Sequence, residues 1–407
     1  MGIVLGVNTV NENLVFGFDT NYGVADNDTS TRFYPGEPTT NEFYNTGSAG
    51  NILDHASGYG GYGTVQSGAL DAFGTTNCNV YRNTGKIRLG PTGGQDIGTL
   101  TNGNTYTWSI YLKHVEGQPE STSMEFDIVD QASGGRSYSG TLGSNMTYQW
   151  KRFSVTSTHT NSSNYHFLDL GTYQGTNVFD WCMPQIDVGS HATPHTKTSR
   201  SNTASLIDLK KETNINVGSI SFDSTGHPDF DGTDDFLVSS DSILVDGDQS
   251  WETVFMAEGA PDSPSGIITN HKFNSSPPSN MGINYVNQNG TYQVGASIGY
   301  TDGTREYHTK RANNTIVALN KAYHVVMTYD AGNNRLIWYV NGELDTTHNL
   351  SKTPAFSSIQ MCSGRWDAAY PDYYFNGKIY VAKVYDKLLT DAEVLQNYKA
   401  YKNRFDI

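Results

Sequence analysis

The tightest constraint on this chain is a period of two. Thr105-Tyr106-Thr107-Trp108-Ser109-Ile110-Tyr111-Leu112 alternates polar with aromatic or aliphatic residues, and Met124–Val129, Trp150–Val155 and Tyr165–Leu170 repeat the pattern. Successive side chains of a strand point to opposite faces, so these runs specify half-buried strands. Gly134-Gly135 and Gly143-Ser144-Asn145 punctuate them. Arg335–Val340, Asn341-Gly342 and Glu343-Leu344 predict a hairpin, because a two-residue Asn-Gly turn takes both residues at positive φ. His324–Tyr329 is the strand before it, joined through a turn at Asp330–Asn334. One helix is expected, at the end of the chain. Thr390-Asp391-Ala392-Glu393 is a capping box, and Val394, Leu395, Tyr398 and Tyr401 follow at helical spacing.

Composition agrees with this pattern. Charged residues are 16% and aromatics 12%, with 42 Gly and 26 Tyr. An ordinary soluble domain has about 25% charged residues. A polar, weakly charged, aromatic and turn-rich chain suits an all-β fold. We read two tandem jelly-roll or β-sandwich domains after an extended N-terminal arm, closed by a short C-terminal helix. Residues 1–58, dense in Gly, Asn, Thr and Pro, are the arm, expected to anchor the chain or exchange between subunits. Residues 59–200 form the first roll and 204–407 the second, with a polar boundary near Arg200.

Several classes are set aside. A net charge of −15 disfavours nucleic acid, because counterion release needs cations. No run approaches the roughly 20 apolar residues of a membrane span, so no membrane insertion is expected. Met1–Val10 lacks the charged and apolar regions of a signal peptide. Cys78, Cys182 and Cys362 have no metal-ligand spacing and cannot form a disulfide framework, although one bridge stays open.

The second roll resembles the concanavalin A-like, or laminin G-like, jelly roll. Three segments carry the resemblance in the family's order: Phe230-Asp231-Gly232-Thr233-Asp234-Asp235-Phe236-Leu237, His324–Asp330 with Trp338–Gly342, and Phe375–Tyr380 through Val384–Val394. The first roll resembles carbohydrate-binding-module-like domains of phage tail and capsid proteins. There, Pro184-Gln185-Ile186-Asp187-Val188-Gly189-Ser190-His191-Ala192-Thr193-Pro194 is similar to a closing segment in which Asp187 replaces the usual Glu. Gly36-Glu37-Pro38-Thr39-Thr40-Asn41 is similar to the linker before such domains. The arrangement is similar to tailed-phage structural proteins, an analogy of fold. It implies a non-enzymatic virion-surface protein: a capsid decoration, head fibre or tail appendage. Its partners would be other capsid or tail proteins, copies of itself (a trimer is the common fibre state), and host-surface glycan. The alternatives are a glycan-active hydrolase and a free bacterial lectin.

Candidate sites follow. Arg365, Trp366, Asp367, Tyr370 and Tyr373 lie in one loop and could present aromatic faces to a sugar ring, with polar groups for its hydroxyls. The other reading packs these aromatics in a subunit contact. Asp229, Asp231 and Asp234 could offer oxygens to calcium, which some laminin G-like domains bind. The same run is also an ordinary turn in which Asp caps backbone amides, and no cofactor is otherwise expected. Glu125-x-Asp127-x-x-Asp130 resembles the E-x-D-x-x-E of retaining glucanases. Asp130 is one methylene short of the family's Glu, and it falls on the opposite face from Glu125 and Asp127 unless a bulge intervenes. No catalytic residue is assigned. His191 and His195 are four apart, but Pro194 argues against the helix that would align them.

Overall fold

The computed structural model describes residues 9–20, 24–25, 32–33, 36–37, 39–40, 63–89 except 75, 77 and 86, 101–116, 126–131, 146–158, 165–170, 178–203 except 197–198, 205–223 except 219, 226–261, 264–270, 281–365 and 373–407. The chain divides into two compact units. One comprises Met1–Val24, Tyr34–Glu37 and Asn202–Ile407, and the other Ala25–Phe33 and Pro38–Ser201. We call them the sandwich unit and the inserted unit. The structure is all-β apart from the terminal helix.

The sandwich unit holds two eight-stranded antiparallel sheets. In the first, Ser221–Phe222, Pro228–Asp231, Asn376–Tyr385, Gln249–Ala257, Ala322–Asp330, Arg335–Val340 and Glu343–Asn349 follow in order, and Leu14–Asp19 also pairs with Asn376–Tyr385. In the second the order is Leu206–Ile207, Asn214–Asn216, Leu237–Ser239, Met361–Ser363, Ser265–Asn270, Met281–Gln288, Thr291–Gly299 and Arg305–Arg311. Alternate residues of both sheets meet in one core, including Trp251, Phe255, Ile283, Met327, Trp338 and Val384.

Part of the segment read as an extended arm with a few strands, residues 1–58, is described. Leu14–Asp19 is a strand of the sandwich, with Leu14 opposite Tyr385 and Asp19 opposite Val381. Phe16 and Phe18 are fully buried in the same core. The reason is hydrophobic: Phe16 and Phe18 point into the core, while an irregularity between Leu14 and Phe16 turns Leu14 to the opposite face with Tyr385, Leu389 and Val394, so both faces of the strand are covered. Thr39–Thr40, by contrast, pairs with Ser199–Arg200 in the inserted unit.

The local signals fold as read. Asn341 (φ 50°) and Gly342 (φ 81°) make the turn, with Val340 opposite Glu343. A Cβ on Gly342 would lie 2.8 Å from the Tyr398 ring. Gly342→Ala is therefore expected to cost about 1–2 kcal/mol, from left-handed strain and that contact; a denaturant midpoint equal to wild type would contradict it. Helix α1 (Asp391–Phe405) begins at Thr390, whose hydroxyl accepts the Glu393 N–H while the Glu393 carboxylate accepts the Thr390 N–H. Among the described residues it is the only α-helix, and none is long and apolar enough to cross a membrane. It covers the outer face of the first sheet through Val394 against Val326, Tyr339 and Leu389, and through Tyr401 and Phe405 against Val254 and Val381.

That outer face also holds a polar hub. The fully buried Glu252 carboxylate lies 2.8 Å from His324 Nε2 and accepts the Tyr385 hydroxyl at 2.7 Å and the Asn397 amide at 2.9 and 3.1 Å. Asn397 Oδ1 accepts the Val10 N–H at 2.7 Å, and the buried Lys383 ammonium donates to Thr9 Oγ1 at 3.1 Å. Arg404 of α1 pairs with Asp19. The hub thus clips the first described residues to the sheet and the helix.

In the inserted unit, Lys151–Thr158, Thr105–Glu116, Val178–Val188, Tyr81–Thr84 and Thr64–Val65 form a five-stranded sheet, and Ile87–Leu89, Tyr165–Leu170 and Phe126–Gln131 a three-stranded one. The alternation of Thr105–Leu112 is real, but its polar side is buried too. Tyr106, Trp108, Ile110 and Leu112 are at most 4% exposed, and Thr107 and Ser109 are 1% exposed. Their hydroxyls are satisfied, Thr107 by Thr156 and the Gly189 carbonyl, Ser109 by Arg152. All three cysteines are free.

Candidate functional site

The two site clusters read from the sequence converge on one corner of the sandwich unit. The Pro228–Asp231 strand ends in a turn at Gly232 (φ 81°). Asp231 Oδ1 accepts the Thr233 N–H at 2.7 Å, Asp235 Oδ2 accepts the Asp231 N–H at 3.0 Å, and the Asn376 amide donates to the Asp231 carbonyl at 3.0 Å. Asp231, Asp234 and Asp235 each place a carboxylate oxygen within 4.8 Å of the others; the first two are exposed. Asp229 stands outside this group. It lies opposite Lys378, which pairs with Asp223 at 2.8 Å and Glu258 at 3.8 Å. In sequence Asp223, Asp229, Asp231, Asp234 and Asp235 form one acidic cluster; the fold keeps Asp231, Asp234 and Asp235 together at the turn, while Asp223 and Asp229 lie along the strands beside Lys378.

Gly364 and Arg365 approach the same turn from the other side. Gly364 (φ 87°) lies so close that a Cβ there would fall 2.3 Å from the Phe230 ring and 2.9 Å from the Asp235 carbonyl. The Arg365 guanidinium lies 3.8 Å from the centre of the Phe236 ring, a close cation–π contact. Arg365 bridges to Tyr374, and Phe236 packs against Tyr374 at 6.5 Å. Arg365 is only 8% exposed, so it supports the corner from below and is not itself a sugar-facing surface. Tyr373 is half-buried beside it. Trp366, Asp367 and Tyr370 lie outside the described residues. Sequence reading missed Phe236 and Asn376, which act across the fold on Arg365 and Asp231. The signal available was Phe236's place directly after the acidic run.

Three neighbouring carboxylates suit a hard cation in donor type, yet calcium asks for six to eight oxygens. Here the turn closes on its own amides, so it needs no ion to hold its shape. EDTA is therefore expected to leave the melting temperature unchanged; a fall of several degrees, reversed by added calcium, would show an ion bound in the native state.

The inserted unit explains its own motif. Asp187, fully buried, accepts the Thr193 hydroxyl at 2.7 Å, the Thr193 N–H at 3.1 Å, the Thr39 hydroxyl at 3.0 Å and the Gln185 amide at 2.9 Å. Gln185 Oε1 accepts the Thr196 N–H at 2.8 Å. The segment therefore closes the unit onto Thr39, and its polar residues serve structure. His191 and His195 join no cluster of three metal-competent side chains among the described residues. Of the glucanase-like triplet, Glu125 lies outside the described residues. Phe126–Gln131 pairs with Tyr165–Leu170 in unbroken register, Asp127 opposite Asp169 and Asp130 opposite His166. Positions 127 and 130 thus fall on opposite faces of the strand.

Two antiparallel sheets packed face to face over one core define a β-sandwich. Residues 231–395 match the family model of the concanavalin A-like lectin/glucanases superfamily, so the chain carries a concanavalin A-like, laminin G-like jelly-roll domain. Among solved structures it is similar to the binding domain of botulinum neurotoxin serotype D (13% identity, 48% of each chain covered, TM-score 0.36). It is similar also to that of serotype G (16%, 48% of each chain, 0.36) and to Trypanosoma rangeli sialidase (14%, 47% of this chain and 30% of that one, 0.34). The chain spans about half the length of the neurotoxin domains and under a third of the sialidase. Likenesses at this level carry no argument about function. No curated protein matches the chain.

Proposed function

We propose that this chain is a non-enzymatic structural protein of a tailed-phage virion surface that binds host-surface glycan. The observation that carries the glycan reading is the lectin/glucanase match over residues 231–395, which includes both sides of the corner built by Asp231, Asp234, Phe236 and Arg365. The exposed Asp231 and Asp234 carboxylates are groups that orient sugar hydroxyls, and the Phe236–Arg365 pair packs against the turn that carries them. The non-enzymatic reading rests on the sequence, in which no pair of carboxylates is assigned to flank one bond as glycoside hydrolysis needs. The virion reading rests on the resemblance of the Pro184–Pro194 and Gly36–Asn41 segments to phage tail and capsid proteins. In this reading the chain assembles as a homo-oligomer with other capsid or tail proteins.

The test is a panel of bacterial surface polysaccharides offered to the purified full chain, with reducing ends assayed in parallel, and gold-antibody labelling of particles from a producing host. Retention of a polysaccharide without new reducing ends, weakened by Asp231→Asn or Tyr373→Ala, is expected, as is label on the particles. Accumulating reducing ends would overturn the non-enzymatic reading. Unlabelled particles would overturn the virion reading.

A further inference from the structure

A second surface, on the inserted unit, has the chemistry of an anion site. Lys151–Thr158 is an edge strand of the five-stranded sheet. Its neighbour, Thr105–Glu116, sets Arg152 opposite Tyr111. Trp150 precedes Arg152 by two residues and so shares its face, and the Lys113 ammonium lies 4.8 Å from the centre of the Trp150 ring. The Arg152 guanidinium lies 5.5 Å from the Tyr111 ring, and Phe73 meets Tyr111 edge-on at 5.5 Å. Two cation–aromatic pairs therefore stand side by side, half-buried, at the edge of one sheet.

Of the carboxylates near this shelf, Asp71 is taken by the Phe73 and Cys78 N–H groups, and Asp187 by Thr39, Gln185 and Thr193. Asp180 is its one carboxylate pairing a cation, and it is used twice: it takes Arg82 at 2.8 and 3.1 Å and Lys113 at 3.2 Å. Arg152 donates from Nη2 to Ser109 Oγ at 2.8 Å, its Nε has no partner, and no carboxylate pairs with it among the described residues. Burial pushes its guanidinium below the ordinary value, and the more distant Tyr111 and Asp187 offset this only in part. A guanidinium has five donors in a planar fork that matches an oxyanion. On a chain of net charge −15, a half-buried arginine that pairs with no carboxylate among the described residues is a local exception.

We propose that this shelf binds an acidic saccharide, its carboxylate or sulfate held by Arg152 and Lys113 and the apolar side of its ring set against Trp150. The proposal rests on the glycan-binding reading and adds a second site with its own ligand class. The carboxylate and sulfate forms share the chemistry, and the probes separate them.

The experiment titrates the full chain with a hexuronate oligosaccharide, a sulfated galactan oligosaccharide and a neutral glucan of equal length, by calorimetry and tryptophan emission. Trp108, Trp181, Trp251 and Trp338 are fully buried, so an emission change lost in Trp150→Phe reports this shelf. At least one acidic probe is expected to bind more tightly than the neutral one, and to weaken as salt rises. Arg152→Gln is expected to weaken it at least tenfold, Arg152→Lys less, with any neutral-glycan binding unchanged. Equal affinity of wild type and Arg152→Gln for the acidic probes would overturn the proposal. So would acidic probes binding no better than the neutral one. If Arg152→Gln does not fold, Arg152→Lys and Trp150→Phe decide the same question. Failure of the broader reading looks different: no polysaccharide of the earlier panel is retained at all.

Discussion

Replacing Glu252 by alanine is expected to destabilise the sandwich unit by about 3–5 kcal/mol, the usual cost of removing one partner from a buried charged network. Glu252 is fully buried, and its carboxylate is what His324, Tyr385 and Asn397 converge upon. Its loss leaves those groups and the buried Lys383 ammonium without their acceptor or counter-charge, and loosens the Asn397 contact to Val10. Guanidinium unfolding followed by tryptophan emission measures it; a loss under about 1 kcal/mol would show the hub to be dispensable. The pH dependence has a definite sign. Burial pushes the Glu252 carboxyl up, but the hydrogen bond and charge of His324, the charge of Lys383 and the Tyr385 hydroxyl together leave it below its ordinary 4.5. On acidification the unfolded chain takes up this proton first. The hub's contribution is therefore complete above pH 4.5 and lost as pH falls through the lower folded value. Glu252→Gln should flatten that part of the stability profile.

Phe18→Ala is expected to cost about 3–5 kcal/mol, as for a fully buried phenylalanine in any core. The sequence alone would predict far less, because residue 18 lies in a stretch dense in glycine and polar residues. Yet Phe16 and Phe18 are 0% exposed and pack with Val384 and Ala382 of the strand they pair with. The pair Phe18→Ala and Asn11→Ala provides the contrast, because Asn11 lies in the same stretch but is exposed. If both variants melt alike, Leu14–Asp19 is not an integral strand. If Phe18→Ala alone falls, the strand belongs to the core.

What the sequence disclosed was what is decided locally. Asn341-Gly342 must take positive φ wherever it sits between two strands, and Thr390 caps whatever helix follows it. The strands of the inserted unit show their period of two within a single run. The role of Leu14–Asp19 is not local, since its partner Asn376–Tyr385 lies at the opposite end of the chain and its own pattern is short. The corner site was half legible. Asp231 and Asp234 announce themselves as a run, and Arg365 heads an aromatic stretch, but nothing in either segment says that Phe236 will lie under Arg365 or that Asn376 will hold the Asp231 carbonyl. Arg152 was invisible as a site because its meaning depends on where Asp180 spends its two oxygens, on a different strand.

Pairing the first strand with one of the last also sets an order of events during synthesis. The Tyr385 hydroxyl lies 3.2 Å from the carbonyl of Val10, 375 residues earlier. At ribosomal rates of about 5–20 residues per second, Leu14–Asp19 waits roughly 20–75 s for its partner. The inserted unit, complete by Ser201, has its own strands in hand long before. A chain that stops short of Asn376 therefore has one finished unit and a first sheet in which Leu14–Asp19, Pro228–Asp231 and Gln249–Ala257 all lack the strand they share, edges open to pairing with another chain.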